Sequence, residues 1–279
     1  MPPVGETRRT IELLWLAETT RDAETTRGAD AETTREAETA TAGAKPKSKR
    51  GRRPGLTVTR VVEAGITLAG AEGLDAVSMR RVAQELGVVP MTLYTYVPDK
   101  GALLDLMLDR LYLAMPRADH PDRPWRERLA AVAEENRRLY GEHPWAASLP
   151  ASRPPLGPGL MAKYEHELRA FDGCGLDDVT RDSALTFLIG FVQAQARSEA
   201  EVRAAATRAG DTDFEWWAER GPIFQVVFEQ HRYPTATRVG AAAGAALGAA
   251  YDPGHAYTFG LNRVLDGLAA LIETGDPRR

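Results

Sequence analysis

Between Leu56 and Met115 apolar residues recur three and four positions apart in four short runs, and each run is bounded by residues that start or stop a helix. Thr57 is placed to cap a helix carrying Val58, Val61, Val62, Ile66 and Leu68, which ends near Gly73. Leu74, Asp75 and Ala76 then turn the chain. Ser78 caps a second short helix with Val82, Ala83 and Leu86, and Gly87 stops it. Pro90 stands at the first position of a third helix running through Tyr96, where its fixed φ suits the helix and its missing N–H is not needed. Pro98 and Asp99 break and recap the chain, and Leu103, Leu104, Met107, Leu108 and Leu111 form the stripe of a fourth, amphipathic helix.

The same spacing continues. Helices are expected over 125–140, 160–171, 176–206 and 257–272, and over 214–230 with a break at Gly221-Pro222. His143-Pro144 and the proline-rich stretch 153–158 interrupt them. Residues 240–254, mostly Ala and Gly, read as a loop. Trp216, Trp217, Phe224 and Phe228 read as core aromatics at helical spacing. No segment alternates apolar and polar residues as a half-buried strand does, so the class is all-α. With 279 residues, 43% hydrophobic and 27% charged, the chain suits one large domain or two smaller ones. No apolar run approaches the roughly 18 residues of a spanning helix. The apolar run 11–17 is too short for a signal peptide and is interrupted by Glu12. A single cysteine, Cys174, excludes an internal disulfide framework and a cysteine-based zinc site, so the expected location is the cytoplasm.

Charge is unevenly spread: residues 1–44 are net −4, 45–115 net +4 and 116–279 net −4. Within 45–53, Lys45, Lys47, Lys49, Arg50, Arg52 and Arg53 accompany Pro46 and Gly51, an extended basic arm suited to a nucleic-acid backbone. Before it, Ala-Glu-Thr-Thr-Arg recurs at 17–21, 23–27 and 31–35, with little apolar content to offset the entropy of ordering. The expected organisation is a disordered tail over 1–54 ending in the basic arm, a DNA-binding domain with its connecting fourth helix over 55–115, and a larger helical domain over 116–279. Deleting 1–44 is expected to leave DNA affinity nearly untouched.

A short helix over 78–87, a turn at Gly87 and a second short helix over 90–96 make a helix-turn-helix, whose second helix can enter a major groove. Thr hydroxyl and methyl groups suit base edges, and Tyr hydroxyls and Arg80 suit phosphates. The longer string, with Ala64-Gly65, Gly73-Leu74, Arg81-Val82-Ala83, Leu86-Gly87-Val88, Thr92-Leu93-Tyr94-Thr95-Tyr96-Val97 and Lys100-Gly101-Ala102-Leu103-Leu104, resembles the DNA-binding domain of the TetR (tetracycline-repressor) family. That resemblance implies a three-helix reading domain with Val82, Ala83, Leu86, Leu93 and Val97 inside. It also implies a DNA-facing set of Arg80, Pro90, Met91, Thr92, Tyr94, Thr95, Tyr96 and Lys100, to which the arm adds Arg50, Arg52 and Arg53.

From residue 125 to 272 the chain is similar to the ligand-binding and dimerisation domain of the tetracycline-repressor branch, through Arg153-Pro154, the turn 173–176, Phe259-Gly260-Leu261 and Leu265-Asp266-Gly267-Leu268. Tetracycline repressors hold a magnesium-bound drug through histidines. Here only His143 falls at a matching place and Gly190-Phe191 stand where a second histidine belongs, so no metal or other cofactor is expected. The implied function is a ligand-responsive repressor, not an enzyme, that binds a palindromic double-stranded operator as a homodimer and is released by a small, mostly apolar inducer. The expected pocket lies among 125–142, 160–172 and 184–196, with Phe187, Phe191 and Trp145 as walls and His143, Arg153 and Gln195 as polar groups. The expected dimer interface is a four-helix bundle of 177–198 and 257–272 from each chain, supplied by Phe259, Leu261, Val264, Leu265, Leu268, Leu271 and Ile272. The alternative is a sequestering or enzymatic helical protein with a secondary DNA element. It would need clustered acids, histidines or a cofactor loop in 116–279, and the sequence has none.

Overall fold

Every regular element in the computed structural model is helical, over described residues 7–16, 55–119, 121–150, 153–209, 213–248 and 251–274. In chain order these are α1 (7–16), α2 (Val58–Glu72), α3 (Met79–Leu86), α4 (Pro90–Tyr94), α5 (Lys100–Ala114), α6 (Trp125–Glu142), α7 (Pro144–Ala147), α8 (Pro158–Arg169), α9 (Asp178–Ala209), α10 (Asp213–Val227), α11 (Pro234–Leu247) and α12 (Pro253–Thr274). The Ala-Glu-Thr-Thr-Arg repeats and the basic arm lie outside the described residues. The chain divides into two compact units. One comprises the described residues up to Pro116 together with Pro150–Glu165; the other comprises Arg117–Leu149 and His166–Arg279.

In the first unit side-chain caps start the helices. Thr57 accepts from the Arg60 amide, Ser78 from Arg81 and Asp99 from Ala102. Gly87 ends α3 at φ 66°, a left-handed conformation that a side chain disfavours. Val61, Val77, Val82, Leu93, Val97, Leu103 and Met107 are completely buried, and Gly65 lets α2 approach α5 so closely that a Cβ there would stand 2.7 Å from the Met107 sulfur. The segment Pro150–Glu165 joins this unit through Asp109, a buried carboxylate of α5 that accepts from the Gly159 amide at 3.1 Å and the Leu160 amide at 2.9 Å. Gly159 is pressed onto α5, where a Cβ would lie 2.1 Å from the Asp109 carbonyl oxygen. Burial, with Asp99 and Asp109 nearby, pushes the Asp105 carboxyl up to about 6.

In the second unit α6, α9 and α12 pack on one another, with α7 against α6 and α9. Leu129, Ala133, Phe171, Leu188 and Val192 are fully buried at their centre, and Gly260 gives the Phe191 ring its place, since a Cβ there would come within 2.5 Å of it.

Four expectations are corrected. Residues 7–16 are a helix rather than part of a structureless tail, because Leu14 and its neighbours find apolar cover and backbone acceptors in the first unit. The Ala/Gly stretch is helical as far as Leu247, since alanine has the highest helix propensity and outweighs Gly240 and Gly244 before Gly248 stops the helix at φ 69°. Pro222 lies inside a continuous α10, where Gly221 offers no Cβ to clash with the proline ring. Trp216, Trp217 and Phe224 are 42%, 39% and 47% exposed rather than core, their rings forming the pairs Trp216–Trp217 and Phe224–Phe228 within the same segment.

Candidate functional site

The exposed face of α4 is built outward from two anchors. Leu93 and Val97 are fully buried, so the intervening and preceding side chains of α4 must turn away: Met91 is 75% and Tyr94 43% exposed. Pro90 and Thr95 are exposed as well, while Thr92 and Tyr96 are half-buried. The Thr95 hydroxyl donates to the Thr92 carbonyl at 2.6 Å, closing the last turn of this five-residue helix. On α3, Arg81 is tied to Glu72 and Glu85 at 2.6 and 3.2 Å, whereas Arg80 stands exposed. Lys100 is exposed at the first position of α5, next to the capping Asp99. Arg80 and Lys100 thus supply cations on the helices either side of α4, and α4 supplies short hydroxyl, thioether and phenol groups. Groups of these kinds can bond to phosphates and to base edges. Arg50, Arg52 and Arg53 lie outside the described residues.

The residues expected to hold a ligand do not converge on one point. His143 sits half-buried with its ring edge-on to the buried Trp145 at 6.3 Å. Phe191 stacks on Tyr257 at 5.9 Å and faces Gly260, whereas Phe187, one turn earlier, is 58% exposed. Gln195 accepts from the Tyr251 hydroxyl at 3.4 Å. Arg153 is exposed and belongs to the first unit.

Between α6, the last turn of α8 and the loop before α6 lies a cleft of about 190 Å³, whose lining sets charged side chains among the apolar surface of Ala131, Val132 and Ala170. Glu135, 9% exposed, accepts from the Ala118 amide at 2.9 Å and meets His166 Nε2 at 2.8 Å. Arg128 donates to the carbonyls of Pro121, Arg123, Ala170 and Asp172 and so holds both walls. His166 and Glu135 lie 31 positions apart, so this contact across opposed helices leaves no local pattern in the sequence. Asn136, one residue on, is fully buried and donates to Glu167 at 2.6 Å. The Oδ1 of Asn136, together with Trp145 Nε1 and the Tyr257 hydroxyl, is a buried polar atom with no hydrogen-bond partner among the described residues. Burial, with Glu134 nearby, raises the Tyr257 phenol above its ordinary range, so it is neutral and able to donate. Burial likewise pushes the Cys174 thiol up, against a nucleophilic role. Among the described residues no group of three or more His, Cys, Asp or Glu is placed to hold a metal, and no helix is long and apolar enough to cross a membrane.

Residues 61–107 match the family described as bacterial regulatory proteins, tetR family, and residues 116–272 match the tetracyclin repressor-like C-terminal domain. The chain is 42% identical over 269 residues to the HTH-type transcriptional repressor DrrR1 of Streptomyces coeruleorubidus, covering 96% of this chain and 87% of that one. It is 29% identical over 147 residues to the class C tetracycline repressor protein of Escherichia coli, covering 50% of this chain and 67% of the relative. Among solved structures it is similar to the Streptomyces coelicolor TetR family protein ActR in complex with actinorhodin, with a TM-score of 0.66, 28% identity, and coverage of 81% of this chain and 99% of the other.

Proposed function

The chain belongs to the tetR family of bacterial regulatory proteins, and on that premise we propose that it is a cytoplasmic repressor that binds a palindromic DNA operator as a homodimer and is released by a small, mostly apolar molecule. The observation that carries the reading is α4: two fully buried anchors, Leu93 and Val97, turn Met91 and Tyr94 outward between the exposed cations Arg80 and Lys100. One such helix spans few base pairs. A twofold pair would place two of them about 34–36 Å apart on successive turns of the duplex. The DNA-facing set is Arg80, Pro90, Met91, Thr92, Tyr94, Thr95, Tyr96 and Lys100, with Arg50, Arg52 and Arg53 adding contacts to phosphates.

The pairing surface we propose is formed by α9 and α12, which already pack on each other within the chain and leave Phe187 and Phe259 58% and 57% exposed. Leu268, by contrast, is 5% exposed and serves the chain's own core. For the effector, the second unit supplies an interior of apolar side chains in which Asn136, Trp145 and Tyr257 keep unpartnered polar atoms. A largely apolar guest with a few hydrogen-bonding groups suits that interior, in keeping with the actinorhodin held by ActR. Release then follows by linkage: a molecule that favours a dimer geometry with mismatched reading helices must bind more weakly when operator is present.

The test is to select duplexes from a random pool with the full-length protein, then screen aromatic small molecules for release of the selected duplex. A palindromic consensus and at least one releasing compound are expected. Selection of no duplex would sink the reading.

A further inference from the structure

Helix α1 is held to the first unit at three points. Leu14 is only 3% exposed, Trp15 Nε1 donates to the Leu156 carbonyl at 3.0 Å, and Arg9 Nη2 donates to the Thr95 carbonyl at 2.8 Å. The third of these lands where the reading helix is least constrained. Thr95 is the residue that closes α4, and its carbonyl lies beyond the last helical amide that could satisfy it. α4 itself has only five residues, follows Val89 without a side-chain cap, and has Leu93 as its one fully buried side chain, with Val97 buried just beyond it. A helix that short does not fix its own axis.

We propose that Arg9 is a positioning residue for DNA reading: α1 docks through Leu14 and Trp15, and Arg9 then holds the C-terminal turn of α4, setting the direction in which Met91, Tyr94 and Tyr96 meet the bases. This rests on the reading of α4 as the recognition helix. The neighbouring Arg8 supplies a contrast in the same helix. It is paired with Glu12 at 2.8 Å on the surface, and such an exposed pair contributes little. The expectation that residues 1–44 are dispensable for DNA binding therefore does not extend to 7–16, whose loss removes a support of the reading helix.

The role differs from that of a phosphate-binding side chain in what it leaves unchanged. A guanidinium bonded to a backbone carbonyl releases no counterions from DNA, so it alters discrimination and not the salt slope. The experiment uses the full chain and the duplex selected as above, with an unrelated duplex for comparison, over a range of salt concentrations. Arg9→Ala is expected to bind the selected duplex about fivefold more weakly, the scale of one missing hydrogen bond, with affinity for the unrelated duplex and the salt slope both unchanged. Arg9→Lys, which can still donate to Thr95, is expected to recover most of the affinity, and Arg8→Ala to match the parent. Without DNA, hydrogen exchange at the Tyr96 and Val97 amides, both bonded to the Leu93 carbonyl, is expected to quicken in Arg9→Ala and return towards the parent rate in Arg9→Lys. An Arg9→Ala protein with parental affinity and parental exchange overturns the proposal. So does an equal weakening on both duplexes with a slope flatter by about 0.9, which would make Arg9 a phosphate ligand. Should no duplex be selected, the reading of α4 fails and the exchange rates alone decide whether Arg9 holds the turn.

Discussion

If α9 and α12 pair two copies as proposed, replacing Phe259 by Ala should dissociate them without unfolding the chain. A phenylalanine presents roughly 200 Å² when fully accessible, so 57% exposure leaves about 115 Å² of ring and stem for a partner to cover. At about 25 cal/mol per Å² that area is worth about 3 kcal/mol, and twofold symmetry doubles it to about 6 kcal/mol for one substitution. Buried area converts imperfectly to affinity, so about half of that is a fair expectation, and it corresponds to a dissociation constant raised about 150-fold. Phe187→Ala should act to the same extent. The assay is sedimentation velocity over a concentration series, with thermal unfolding of the same samples at concentrations where the parent is already monomeric. Because both rings face outward, the monomer's melting temperature should stay within a degree or two of the parent's, a surface-substitution effect. Leu268→Glu is the control. It places a carboxylate in the chain's own core and should lower the melting temperature steeply whatever the association state. If Phe259→Ala and Phe187→Ala both dissociate at the parent's concentration, α9 and α12 do not form the interface and the exposed aromatics of α10 become the surface to test.

Thr92→Ala with Tyr96→Ala should remove specific DNA binding while sparing the fold, each base interaction removed costing about 1–3 kcal/mol; gel-shift titration on selected and unrelated duplexes checks it. Changing Arg50, Arg52 and Arg53 together to Ala should weaken binding on every duplex alike and flatten the plot of log K against log salt by up to about 0.9 for each phosphate no longer neutralised. An unchanged slope would return the arm to linker status. Asp105, held up to about 6 in the folded chain, binds its proton more tightly there than in the unfolded chain, whose carboxyl titrates near 3.9. Stability from this group is therefore present below about pH 4 and is lost as pH rises through about 6. Asp105→Asn should accordingly raise the melting temperature at pH 7 and reduce its fall between pH 4 and 6. A variant less stable than the parent at pH 7 would show that the ionised carboxylate is welcome at that position.

The reading head was largely legible because its punctuation is local. Ser78, Gly87, Pro90 and Asp99 each act on the turn beside them, and the structure places a cap, a left-handed stop, a helix start and a cap at those positions. Where composition substituted for spacing, legibility ended. The ten residues of α1 stand in a repetitive neighbourhood whose composition masks Ile11, Leu14 and the donor of Trp15, the groups that can dock a helix. Around Gly240 and Gly244 the Ala/Gly composition suggests a loop, whereas the helix propensity of the alanines favours helix. The effector unit failed for a different reason. Phe187 and Phe191 lie one turn apart, so periodicity gives them a common face, but only the opposing helix decides that Phe191 meets Tyr257 and Gly260 while Phe187 stays exposed. Glu135 with His166, and Asn136 with Glu167, are each pairings 31 positions apart that no periodicity announces.

The way Pro150–Glu165 is folded into the first unit bears on how regulators of this kind can be recombined. A chimera joined at a single point after Pro116 would transplant Asp109 but leave Gly159 and Leu160 behind, so a buried carboxylate would face a foreign helix start with no assurance of amide donors. It would also meet whatever side chain that segment carries in place of Gly159, where even a methyl group has no room. A transplant that keeps its solubility has to carry two separate pieces of chain, the head itself and residues 150–165, grafted as a pair into the recipient. Sensor swapping among relatives is thus a two-crossover operation, and single-junction libraries should be dominated by misfolded members.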